Sequence, residues 1–125
     1  MPSYSSAVPP LALSPGDVGL SFNNEAVPAA AAAGTQFALP HPAGVPNQSW
    51  AVRWQTLFGT APTAINASLQ AAMADVDAEY KDIDASTNAA GEARTVTGVQ
   101  ARFLRIKVNS STVGAGAGFT AKLLV

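Results

Sequence analysis

The chain of 125 residues contains no cysteine and a single histidine. The absence of cysteine excludes a disulfide framework, a thiolate zinc site and a cysteine nucleophile, so the fold must be held without covalent cross-links. Charged residues make up 12% of the sequence, which is about half the share that is usual in soluble domains. The net charge of −1 gives no reason to expect nucleic-acid binding through phosphate neutralisation.

Long hydrophobic runs are also missing. No apolar stretch approaches the roughly 20 residues that a membrane-spanning helix needs, so no membrane partner is expected. The N-terminus lacks the basic start and continuous apolar stretch of a signal peptide, since prolines at positions 2, 9, 10 and 15 interrupt it. Neither a membrane segment nor a leader explains the low charge. We therefore expect extensive burial of this chain in a protein assembly.

Sequence patterns that carry catalysis are sparse. The serines show no GxSxG pattern, there is no GxxxxGK phosphate loop, and the glycine-rich residues 113–118 precede a predicted strand rather than a helix. His41 stands between two prolines and has no acidic or nucleophilic neighbour in sequence. The sequence therefore predicts a protein that is not an enzyme and that needs no cofactor.

The composition changes near residue 48. Residues 1–48 hold eight of the nine prolines and, among acidic, basic and histidine side chains, only Asp17, Glu25 and His41. Proline fixes φ and disfavours helix at the residue before it, so this segment is predicted to be a long extended N-terminal arm. Within the arm, residues 18–22 favour a short strand. The alanine run at residues 28–34 is compatible with one helical turn or with an extended loop.

Residues 49–125 show the alternation of apolar and polar residues that is typical of β-strands. The predicted strands cover residues 49–58, 65–73, 79–86, 92–97, 101–110 and 119–125, and segments rich in glycine, proline, asparagine or alanine separate them. Short strands at this spacing predict a small antiparallel β-sandwich with a jelly-roll-like arrangement. The predicted organisation is an all-β chain with an arm at 1–48 and a β-sandwich domain at 49–125.

An arm so poor in charge is predicted to adhere to a partner protein. Its largest apolar side chains, Phe22, Phe37 and Leu39, are the expected contact residues. Trp50 and Trp54 are expected to anchor the root of the arm, although two tryptophans four residues apart are also compatible with core packing or with stacking on a sugar. On this interpretation, deletion of residues 1–45 leaves a folded sandwich that no longer attaches to its partner.

The acidic stretch at residues 75–84 is the one place where the sequence suggests a metal ion. Asp75, Asp77 and Glu79 offer oxygen ligands at alternate positions, which suits calcium. An EF-hand loop is excluded because Tyr80 stands where that loop requires glycine. A solvated acidic turn, aided by Lys81, explains the same residues, so the sequence predicts no metal site and calcium remains the alternative.

The segment SLQAAMADVDAEYKDIDASTNAAGEARTVTGVQARFLRIKV resembles the β-sandwich of tailed-phage virion proteins. The shared pattern is an LQ-type strand, an acidic turn with an aromatic residue, a GE-R-TVTG strand and an AR-aromatic-LR strand, within residues 65–125. The resemblance implies a bacteriophage structural protein, most similar to the capsid decoration (cement) proteins.

Proteins of that class sit on the outer capsid surface, typically as homotrimers, and reinforce contacts between subunits of the major capsid protein. The resemblance thus implies the major capsid protein and further copies of this chain as partners, and the virion as the location. The alternative function, suggested by sandwiches of related shape, is a carbohydrate-binding module that serves adhesion on a head or tail fibre.

Overall fold

The computed structural model describes residues 10–40 and 48–125, and it confirms the predicted all-β sandwich. Ten strands form in these ranges: β1 Leu11–Ala12, β2 Val18–Glu25, β3 Ala32–Ala33, β4 Phe37–Ala38, β5 Trp50–Leu57, β6 Ala64–Ala72, β7 Lys81–Ser86, β8 Ala93–Val99, β9 Phe103–Thr112 and β10 Phe119–Leu124. The one helical element of the described residues is a 3-10 turn at Asp77–Glu79. His41 and the rest of residues 1–9 and 41–47 of the predicted arm lie outside the described residues.

The strand order is that of a jelly roll. Sheet I has the order β1-β4-β9-β6-β7, with β3 also paired to β9, and sheet II has the order β2-β10-β5-β8. Because β3 and β4 pair with successive parts of β9, they act as one interrupted strand. From β2 onward the chain then crosses between the sheets at each connection except that from β6 to β7, which gives the interleaved Greek keys of the jelly roll. No helix in the described ranges is long and apolar enough to cross a membrane.

The core lies between the two sheets and follows the predicted alternation. Strands β5, β9 and β10 direct every second side chain inward, and these inward residues are Trp50, Val52, Trp54, Leu104, Ile106, Val108, Phe119, Ala121 and Leu123. The ring of Phe119 packs between two other phenylalanines, with centroid distances of 4.8 Å to Phe22 and 5.1 Å to Phe58. The period of two in the sequence therefore located this part of the core correctly.

The described residues of the predicted arm are strands of the sandwich. β2 pairs with β10, from Val18 opposite Leu124 to Glu25 opposite Phe119, and so forms one edge of sheet II. β3 and β4 pair with β9 in sheet I in the same way. The predicted boundary at residue 48 is therefore corrected within the described ranges, because sheet II would lack an edge strand without residues 18–25.

The apolar side chains that were predicted to contact a partner are buried in the chain's own core. Phe22, Phe37 and Leu39 are between 0% and 6% exposed. Their burial follows from the pairing of β2 and β4, since each strand turns one face toward the opposite sheet. The prediction that these three residues form an adhesive surface is therefore not supported by this structure.

The alanine run adopts the extended alternative. Ala32–Ala33 form β3, opposite Val108 and Lys107 of β9, and Ala29 and Ala30 lie in a bend before it. A helical turn of this length is only marginally stable in water, whereas the strand gains hydrogen bonds from a neighbouring sheet edge. Tertiary pairing thus overrides the helix propensity of alanine.

A buried hydroxyl ties the two sheets together where β2 approaches β9. Ser21 Oγ accepts a hydrogen bond from the backbone N–H of Ile106 at 3.0 Å and lies 3.1 Å from the carbonyl oxygen of Thr35. Gly34 permits this close approach, because a Cβ at that position would overlap both Ser21 Oγ and the Ser21 carbonyl oxygen. Sequence periodicity gives no indication of this contact.

We expect Ser21→Ala to lower the free energy of unfolding by about 1–3 kcal/mol, because the buried N–H of Ile106 loses its acceptor. Urea unfolding followed by circular dichroism measures the change. Ser110→Ala is the matched control, since Ser110 is exposed and its substitution should change stability by less than about 0.5 kcal/mol. Equal stability of the two variants would contradict the proposed role of Ser21.

Candidate functional site

The acidic turn, residues 73–80 between β6 and β7, is held against the outer face of sheet I. Asp77 accepts a hydrogen bond from an amino group of Arg105 at 2.9 Å, and Asp75 accepts one from the Tyr80 hydroxyl at 2.8 Å. Arg105 is only 1% exposed, donates from Nε to Gln70 at 2.7 Å, and stacks 4.1 Å from the centre of the Tyr80 ring. The turn is therefore fixed by one buried cation and one buried aromatic ring.

This arrangement does not support the alternative of a calcium site at Asp75, Asp77 and Glu79. Within residues 10–40 and 48–125, no three histidine, cysteine or acidic side chains are grouped so that they could hold a metal ion. Asp77 is directed to Arg105 and Asp75 to Tyr80, so the three carboxylates do not converge. The spacing in sequence was suitable, but the turn bends the side chains toward different partners.

The predicted anchor residues Trp50 and Trp54 belong to the core. Trp54 is 1% exposed, and its indole N–H donates to Asp84 Oδ2 at 2.9 Å, while Arg94 Nε donates to the same oxygen at 2.7 Å. These bonds join β5 and β8 of sheet II to β7 of sheet I. Of the alternatives that the sequence left open, core packing is the one that the structure supports.

Trp54, Asp84 and Arg94 form a bridge between the two sheets, and its carboxylate is charged. Burial raises the pKa of Asp84, but hydrogen bonds from Arg94 and Trp54 outweigh it and hold the pKa of that carboxyl below its usual value. The neighbouring Asp84 also raises the pKa of Arg94. Both shifts favour the charged forms, so Asp84 and Arg94 form an ion pair at neutral pH.

Four loops meet at one end of the sandwich: residues 26–31, 58–63, 87–92 and 113–118. The backbone N–H of Gly59 donates to the carbonyl of Gly118 at 3.1 Å, and Thr60 forms a β-bridge with Ala117. The hydroxyl of Ser111, next to the last loop, donates to the carbonyl of Pro28. We call these four loops the uncharged end, for the reason that follows.

Their side chains carry almost no charge. Glu92 is the one acidic or basic residue in the four loops. It accepts a hydrogen bond from Ser86 at 2.6 Å and lies 3.5 Å from Arg94, so its carboxylate is directed toward the strands. The exposed positions of these loops are alanine, glycine, threonine and asparagine. The jelly-roll topology therefore gathers small neutral residues from four distant parts of the sequence onto one surface.

The outer face of sheet II is a second distinctive surface, and we call it the basic face. Across strands β2, β10 and β5, the residues Val18, Leu124 and Arg53 lie side by side. In the neighbouring row, Leu20 of β2 lies opposite Lys122 of β10. Val18 is 56% exposed, and a shallow groove runs beside it. Strands β5, β8 and β10 contain no acidic residue. The basic face thus combines exposed aliphatic side chains with two positive charges.

Every described aromatic side chain is buried or half-buried. An aromatic platform for stacking on a sugar is therefore not formed by residues 10–40 and 48–125. Comparisons of the chain with protein-family models, with curated proteins and with solved structures found no match.

Proposed function

We propose that this protein is a capsid decoration (cement) protein of a bacteriophage and that its uncharged end docks on the outer surface of the shell formed by the major capsid protein. The observation that carries the proposal is that four loops present small, neutral side chains on a single surface, with Glu92 as their one charged residue. The jelly roll supports the proposal only in part, because lectins and cupins share this fold with viral capsid proteins.

The scarcity of charge at the uncharged end suits a protein interface. Charged groups are depleted at the centres of interfaces, because a charge that loses its water must find a partner with good geometry. Alanine and glycine side chains lose no rotamer freedom when they are covered, and their backbone groups come close enough to form hydrogen bonds. A surface of this kind can dock closely without desolvating charged side chains.

Many copies on one shell would strengthen a modest contact. Each docked copy that also touches its neighbours is held by more than one interface, so the apparent affinity exceeds that of a single contact. This is the physical basis on which such a protein reinforces a shell. Phe22, Phe37 and Leu39 then act indirectly, by fixing the strands from which the loops project. The proposal involves no cofactor and no chemical reaction.

The carbohydrate-binding alternative has less support. Sugar recognition commonly uses an exposed aromatic ring, and every aromatic side chain of the described ranges is buried or half-buried. A glycan array with the full chain tests this alternative directly. Specific binding of one glycan class would favour adhesion over decoration.

Two substitutions at the uncharged end test the proposal. The double variant Ala61→Asp with Ala115→Asp places two carboxylates on exposed loop positions. We expect its affinity for shells that lack this protein to fall at least about tenfold, because each carboxylate would lose its water in the contact without gaining a partner. Cosedimentation of the full chain with purified shells measures occupancy.

The matched control carries the same change in charge at the opposite end. Ser14→Asp with Gln100→Glu alters two other exposed positions and should leave binding to shells within about twofold of the unsubstituted chain. Equal loss of binding in both double variants, or unchanged binding in the Ala61 and Ala115 variant, would reject docking through the uncharged end. Failure of the unsubstituted chain to bind shells would reject the proposed function itself.

A further inference from the structure

We propose that the basic face of one copy binds the acidic turn of a second copy of this chain. This inference deepens the proposed function, which places several copies side by side on one shell, but the contact can be measured without any shell. Two separate features of the surface carry it: an aliphatic sheet face with positive charges, and a protruding aliphatic turn with negative charges.

The basic face lacks internal partners for its charges. Arg53 donates to Thr95 at 3.3 Å, and neither Arg53 nor Lys122 forms an ion pair with a carboxylate of the described residues. Both cations border the groove next to Val18 and Leu124. Two copies placed face to face through this surface would bring like charges together, which disfavours a symmetric contact. The complementary surface must therefore carry negative charge and apolar side chains.

The acidic turn has both properties. Met73 is 74% exposed and Val76 is 49% exposed, and they alternate with carboxylates. Glu79 is exposed, and its carboxylate forms no hydrogen bond or ion pair with the described residues, although its backbone N–H donates to the carbonyl of Val76 at 2.9 Å. The Asp77 side chain remains 62% exposed beside Arg105. Because Arg105 and Tyr80 already hold the turn in one conformation, little entropy is lost when it docks.

Positive groups near the turn offset its charge without reversing it. Arg105 pairs with Asp77, Lys81 begins β7, Lys107 lies further along β9, and the exposed Arg102 lies beside Ala72 where the turn begins, while Asp75, Glu79 and Asp82 add negative charge around them. On the other surface, Asp17 lies beside the groove at the edge of β2. The contact therefore combines a modest electrostatic match with burial of aliphatic groups, rather than relying on charge alone.

The positions of the two surfaces define the kind of assembly. The acidic turn lies on the outer side of sheet I and the basic face is the outer side of sheet II, so they lie on opposite sides of the sandwich. A contact between two different surfaces is head-to-tail, and repetition of it closes into a ring when the rotation permits. Neither surface includes the uncharged end, so all copies of a ring can present that end to the same shell.

Two charge-reversal variants, studied separately and as a mixture, test the inference. Sedimentation velocity of the full chain over a range of concentrations should show reversible association, and Lys122→Glu or Glu79→Lys alone should weaken it by about tenfold or more, because each places like charges in contact. An equimolar mixture of the two variants should recover association, since the ammonium introduced in one chain then meets the carboxylate introduced in the other. Circular dichroism checks that each variant is folded.

The results separate this contact from docking on the shell. The Ala61→Asp with Ala115→Asp variant should associate as strongly as the unsubstituted chain, and loss of its association would overturn the inference. A chain that remains monomeric at all concentrations, or variants whose mixture shows no recovery, would overturn it as well. In either case binding of the monomer to shells would remain intact if the proposed function is correct.

Discussion

A chain that begins at residue 46 should fail to fold. Such a chain lacks β2, β3 and β4, so sheet II loses an edge strand and β9 of sheet I loses the strands paired along one side. It also lacks the buried Phe22, Phe37 and Leu39, each of which contributes roughly 1.5–3 kcal/mol by burial. The whole native state of a small domain is stable by only about 5–15 kcal/mol. The truncation should therefore remove most or all of the stability.

Far-UV circular dichroism and urea unfolding of the truncated chain measure this effect. We expect no cooperative transition and a spectrum without the strand signal of the full chain. Addition of the separate peptide 1–45 should restore a cooperative transition, because it supplies the missing strands and core residues in trans. A cooperatively folded chain 46–125 would contradict the fold described above and would support the independent sandwich that composition alone predicts.

Removal of the Trp54 side chain should have the second largest effect. Trp54→Ala deletes a fully buried side chain between the sheets, and such substitutions cost about 3–5 kcal/mol. Trp54→Phe keeps most of the packing but removes the N–H that Asp84 accepts, so we expect a smaller loss of about 1–3 kcal/mol. Urea unfolding of both variants measures the two parts separately.

The pH dependence of the free energy of unfolding measures how much the ion pair between Asp84 and Arg94 stabilises the fold. The pKa of Asp84 is lowered in the folded protein, so the stabilisation by its carboxylate is present above the ordinary pKa of 3.8 and is lost as the pH falls through the lower folded value. Asp84→Asn should therefore be destabilising near neutral pH, and the difference from the unsubstituted chain should shrink below about pH 4. A difference that stays constant down to pH 2 would show that the ion pair does not stabilise the fold.

The alternation of residues located the strands of the second half well. The predicted strand at residues 49–58 appears as Trp50–Leu57, and that at residues 101–110 appears as Phe103–Thr112. The alternation of residues does not show which strand pairs with which. β2 pairs with β10, about a hundred residues later, and nothing local in residues 18–25 distinguishes a strand of the same chain from an arm that binds a partner.

The surfaces were harder to predict than the strands. Arg105 alternates with buried residues, a pattern typical of a solvated strand face, yet it is buried beneath a turn in which it pairs with Asp77 and stacks on Tyr80. The uncharged end is invisible in the sequence because its loops are separated by whole strands. Low overall charge led to the expectation that some surface is covered by a partner, and the topology shows which neutral residues lie together.

Hydrogen–deuterium exchange of the full chain, free and bound to shells, tests the central claim most directly. Docking through the uncharged end predicts slower amide exchange in residues 26–31, 58–63, 87–92 and 113–118 on binding. Slowing that is confined to the opposite end of the sandwich, or an exchange pattern that shells leave unchanged, would contradict it.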